Sequence, residues 1–100
     1  MKEVKFATHN SINGTHRQGT LTAKYGDIVK VLGKPMRGDG YKVDAEWEVY
    51  VEGLAITIYN YKNGKNYCGD DGMNVEDITE WSIGGHSIEV VSIIHKIIFG

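Results

Sequence analysis

One cysteine, Cys68, and one proline, Pro35, are all that this chain has of either residue. A lone cysteine excludes an internal disulfide, so the fold must rest on packing and hydrogen bonds, and a reducing cytosol is the expected setting. No apolar signal segment follows Met1, and no apolar run reaches the ~18 residues that would suggest a membrane span. A strong excess of either charge is missing as well. Lys and Arg number 11 against 13 Asp and Glu, a net charge of -2. That is too little positive charge for binding a nucleic acid polymer or an anionic membrane, and too little negative charge for a DNA mimic. There are no internal repeats, low-complexity tracts or linkers, so residues 1–100 are expected to form a single domain. Hydrophobic residues make up 41% of the chain and charged ones 24%, a balance that suits a soluble globular core and not a disordered chain.

The clearest pattern lies between Lys42 and Tyr61. Val43, Ala45, Trp47, Val49 and Val51 alternate with Asp44, Glu46, Glu48, Tyr50 and Glu52, the period of two that a strand with one buried face requires. Glu52-Gly53 reads as a two-residue turn, which sets Val51 opposite Leu54, Val49 opposite Ile56 and Trp47 opposite Ile58. A slip of one residue would bury carboxylates and expose Trp47, so the register is tightly specified.

Earlier in the chain, Val4 and Phe6 suggest a short strand near a sheet edge. His9 to Gly19 is polar and glycine-containing and reads as a loop, with Thr20 to Ala23 as a possible second strand. Tyr25, Ile28, Val29 and Leu32 share a helical face, Gly33 suits its end and Pro35 prevents its continuation. This helix is expected on the Trp47 side of the sheet. Met36 to Tyr41 reads as a flexible connection, and Asn63-Gly64 marks a turn leading to a second loop, Tyr67 to Asn74. Trp81-Ser82-Ile83 suggests a last strand stopped by Gly84-Gly85, followed by a helix capped by Ser87 with Glu89 near its positive end. Ile88, Val90, Val91, Ile93, Ile94, Ile97 and Ile98 form an apolar region wider than one helical stripe; so many β-branched residues also suit a buried strand, and as a helix the C-terminal segment is expected to form a homo-oligomer. The fold class is α+β: a mostly antiparallel sheet of about five strands with two helices packed on one face.

Candidate binding residues concentrate in the first loop. His9, Asn10, Thr15 and His16 offer hydrogen-bonding groups, and Arg17 offers a planar fork for phosphate. Arg37, Tyr61 and Lys62 are the further candidates, with tyrosine or tryptophan available to stack on a base. The plainer account is a solvated loop, since loops are polar by default. Asp44, Glu46 and Glu48 form an acidic row with Tyr59 and Tyr61 beside it; a wet strand face explains this pattern more simply than acid-base chemistry does. Asp70-Asp71-Gly72 lacks the alternating oxygen ligands of an EF-hand, so neither a metal site nor a cofactor is assigned. Ser82, Ser87 and Cys68 stand without a base at diagnostic spacing, so no catalytic residue is assigned and an enzyme is not expected.

The segments Gly33-Lys34-Pro35, Gly38 to Trp47, Ile58-Tyr59-Asn60-Tyr61-Lys62 and Trp81-Ser82-Ile83-Gly84-Gly85 together resemble small proteins carried by tailed bacteriophages. More loosely, the chain is similar to the phage Thoeris anti-defence sponge proteins. That resemblance implies a counter-defence protein in the host cytoplasm that binds a cyclic nucleotide immune signal and sequesters it without chemistry. No ligand residue is transferred from it. The alternatives are a protein-protein inhibitor of a host defence complex, using the acidic face in the manner of an anti-CRISPR, and a small nucleotide hydrolase. Gly33, Pro35 and Trp47 also match a scheme seen in outer-membrane lipoprotein domains, a likeness that bears on packing alone.

Overall fold

The computed structural model describes residues 4–6, 15–38 and 42–100. Among these residues there is one antiparallel sheet with helices packed on one of its faces. The strands are β1 (Val4–Phe6), β2 (His16–Thr22), β3 (Met36–Arg37), β4 (Ala45–Val51), β5 (Leu54–Tyr59) and β6 (Glu80–Gly85). The helices are α1 (Tyr25–Leu32), α2 (Lys65–Cys68) and α3 (Glu89–Phe99). The sheet runs β1-β4-β5-β6-β2, with short β3 pairing with β4, and every named strand pair is antiparallel.

The central hairpin has the register that its alternation demands. Trp47 pairs with Ile58, Val49 with Ile56 and Val51 with Leu54. Glu52 and Gly53 turn the chain with φ of 53° and 81°, both left-handed, as a two-residue turn matched to strand twist requires. Ala45, Trp47, Val49 and Val51 are buried while Glu46, Glu48 and Tyr50 are only half-buried.

Helix α1 ends at Gly33, whose φ of 84° lies in the left-handed region, and it packs on the Trp47 face as expected. Trp47 Nε1 donates to the Gly33 carbonyl at 2.8 Å, joining the central strand to the helix end. Trp81 Nε1 donates to the Ala23 carbonyl at 2.9 Å, and the two indoles meet edge-on with ring centroids 5.2 Å apart. Both indole N–H groups are thus satisfied in the core, which is what lets such large rings be buried.

Several expectations are corrected. The polar stretch read as loop through Gly19 enters the sheet at His16, and strand β2 ends at Thr22. Backbone pairing with β6 outweighs the weak β propensity of this polar segment, and a bulge at Gln18 absorbs its register shift. Gln18 itself donates to the Gly85 carbonyl at 2.9 Å. Met36 and Arg37 are a short edge strand and not simply a connection. Strand β6 continues through both glycines instead of stopping before them. Ser87 is not the helix cap: α3 begins after Ile88 with no side-chain cap, and the Ser87 hydroxyl donates to Glu89 Oε1 at 3.1 Å.

The wide apolar surface of α3 is largely used within the chain. Val90 and Ile94 are fully buried, and Val91, Ile93, Ile97 and Ile98 pack against the core, leaving Ile88 and Phe99 exposed. No helix among the described residues is long and apolar enough to cross a membrane.

Candidate functional site

The face of the sheet opposite the helices carries a groove of about 280 Å³. Its floor is Gly84. Strand register brings Arg17 of β2 next to Gly84 of β6, Gly84 next to Thr57 of β5, and Thr57 next to Glu48 of β4. No side chain fits at position 84, because a Cβ there would collide with Thr57 Oγ1 and stand 3.5 Å from the Tyr59 ring and 3.6 Å from the His16 carbonyl. Gly85, one residue on, faces the other side, where a Cβ would press on Val90 of α3 at 2.7 Å. The two glycines therefore serve opposite faces, as adjacent strand residues must: one makes room for Thr57 at the groove floor and the other for the helix.

Thr15, Arg17, Glu46, Tyr59 and Tyr61 line the walls with Val43. Arg17 is exposed, so its guanidinium is accessible. Glu46 pairs with Tyr59 across β4 and β5. Three strand spacings separate β2 from β4, about 14 Å at ~4.8 Å each, so the groove has a cation towards one side and a carboxylate towards the other. Burial pushes the Tyr59 phenol above its ordinary value of 10.0; nearby Arg17 opposes this, while Glu46 and Tyr61 reinforce it. Tyr59 therefore stays a neutral hydroxyl, able both to donate and to accept, throughout the physiological range.

Of the residues proposed from sequence, Thr15, His16, Arg17 and Tyr61 meet in this groove. His16 sits opposite Gly85, at the register position of the helix-covered face, so its main chain is the part that borders the groove floor. Lys62 lies beside the groove, its Nζ 5.2 Å from the Tyr61 ring centroid. Arg37 stands apart on edge strand β3, exposed and paired with Ala45. His9 and Asn10 lie outside the described residues.

Tryptophan is removed from the list of base-stacking candidates, because Trp47 and Trp81 are 1% and 2% exposed. The acidic row is also divided. Asp44 precedes β4 and accepts from Asn60 Nδ2 at 3.0 Å and from the Asn66 amide at 3.3 Å. Asn60 is fully buried; its Oδ1 takes the amides of Asp44 and Ala45, and its Nδ2 reaches Asp44 and Asn63. Every hydrogen-bonding position of that amide is used, so the cluster pins the 62–66 segment to the start of β4.

Sequence reasoning passed over Gly84, Thr57, Glu46 and Tyr59 as site residues. The last two were visible as an acidic and aromatic strand face, but only the pairing of β2 with β6 brings them into one groove with Arg17. Among the described residues no group of three or more His, Cys, Asp or Glu is placed to hold a metal ion. Comparison with protein-family models, curated proteins and solved structures finds no match for this chain.

Proposed function

We propose that the groove over Gly84 binds a nucleotide, with Arg17 on the phosphate and Glu46 and Tyr59 on the hydroxyl and amino groups of the nucleoside. The observation that carries this reading is the groove itself, in which strand register sets the exposed Arg17 beside Gly84, a position without a side chain. Arginine forms paired, charge-assisted hydrogen bonds with phosphate, and a carboxylate suits the donors of ribose or an exocyclic amine. At about 280 Å³ the groove lies near the lower end of ligand pockets, roughly 300–1,000 Å³, a size suited to one nucleoside unit.

The wider proposal, supported by the resemblance to phage anti-defence sponges, is that the chain sequesters a cyclic nucleotide immune signal in the host cytoplasm without transforming it. Recovery of the bound ligand intact after denaturation separates sequestration from hydrolysis. The binding site itself is tested by Arg17→Glu in calorimetry with nucleoside phosphates. The variant is expected to bind at least about tenfold more weakly, ~1.4 kcal/mol, with an almost unchanged melting temperature because Arg17 is exposed. Equal affinity of the two proteins would refute the assignment.

A further inference from the structure

We propose that the Thr57 hydroxyl is a ligand-binding group of the groove, donating to the same phosphate that Arg17 grips, so that the phosphate is seated over Gly84 between the two side chains. This inference rests on the nucleotide reading above and specifies how that site recognises the charged end of its ligand.

Three polar residues are buried among those described: Thr57 at 6% exposure, Asn60 at 0% and Ser82 at 6%. The Asn60 amide is fully bonded within the chain, and neither Asn60 nor Ser82 lines the groove. Thr57 does line it. Among the described residues the Thr57 hydroxyl has no hydrogen-bond partner within the chain, yet its oxygen is not sealed from solvent. Its open side is the groove. Burying a hydroxyl without a partner costs stability, so a hydroxyl held this way is open to a partner from outside the chain.

Strand register sets Arg17, Gly84 and Thr57 in one row across β2, β6 and β5, spanning two strand spacings, roughly 10 Å at ~4.8 Å each. Thr57 Oγ1 lies over Gly84, in the space that a Cβ at that position would need. The middle of the row carries no side chain, so an oxyanion resting there meets the guanidinium from one side and the hydroxyl from the other. Arg17 offers only donors, and a threonine hydroxyl can donate as well. A phosphate, with several charged acceptor oxygens, is the part of a nucleotide that satisfies both at once. The nucleoside then extends towards Tyr59 and Glu46, which pair with each other two residues further along the hairpin.

Titration calorimetry of the full chain with the four nucleoside 5′-monophosphates and the matching nucleosides, alongside melting curves, tests this in wild type, Thr57→Val and Thr57→Ser. Thr57→Val is expected to bind the preferred monophosphate at least about tenfold more weakly, with nucleoside affinity within about twofold of wild type. Its melting temperature is expected to be no lower than that of wild type, because valine suits a strand and only an unpartnered hydroxyl is removed. Thr57→Ser, which keeps the hydroxyl, is expected to retain most of the monophosphate affinity. Unchanged monophosphate affinity in Thr57→Val, an equal loss for nucleoside and monophosphate, or a clear fall in its melting temperature would overturn the role of the hydroxyl and leave the nucleotide groove standing. Failure of wild type to bind any monophosphate would overturn the groove assignment and this role with it.

Discussion

Tyr59 joins the two sides of the groove at the level of single atoms. Burial raises its pKa, as do Glu46 and Tyr61, while Arg17 acts in the opposite sense. The phenol is an acid whose charged form is disfavoured by folding, so its contribution to stability is present below its unfolded pKa of about 10 and is lost as the pH rises through the higher folded value. Above that unfolded value the denatured chain releases the proton first, and the native state is left paying for a neutral phenol. Urea titrations from neutral pH to about pH 11 are expected to show a decline in stability that is shallower in Tyr59→Phe than in wild type. Parallel declines in the two proteins would mean that Tyr59 ionises alike in both states. Arg17 was legible as a phosphate-binding candidate because its chemistry is carried by one side chain. Gly84 was not, because what it contributes is an absence of atoms whose value depends on its neighbours across the sheet.

The hairpin of β4 and β5 shows which elements a sequence specifies on its own. Its alternation, its two-residue turn and its apolar partners all require the same register, and local agreement of that kind leaves no competing arrangement of similar energy. Strand β2 is the contrary case. His16, Arg17 and Gln18 carry no apolar alternation, and their strand geometry comes from pairing with β6, a partner more than sixty residues away in sequence. A polar edge strand is specified by what it meets and not by its own residues. The hairpin's two faces should differ sharply in energetic weight. Trp47 is 1% exposed and hydrogen-bonded to the end of α1, so Trp47→Ala should cost about 3–5 kcal/mol. Glu48 on the opposite face is half-buried, and Glu48→Ala should change stability by less than about 1 kcal/mol. Similar losses in urea unfolding would contradict the assignment of the faces.

Across the whole molecule, the sheet separates the packed core from the face proposed to bind a ligand. The helix-covered side holds the indole pair, Ile28, Leu32, Val90 and Ile94, while the opposite side holds the groove and, at its border, the lysine and tyrosine cluster. Substitutions on the groove side can therefore alter binding while leaving the core intact. The α+β class and the placement of α1 were readable because they follow from periodicity and one capping glycine. The site was readable only in part, because its residues come from four strands and meet only when the sheet order is known. The most direct measurement of the central claim is a titration of isotope-labelled protein with nucleoside phosphates, followed by backbone amide NMR. Shifts concentrated at Thr15 to Arg17, Thr57, Tyr59, Tyr61 and Gly84 are expected, with the amides of α1 and α3 nearly still. Saturable shifts centred elsewhere, or none at millimolar ligand, would contradict a nucleotide site on this face.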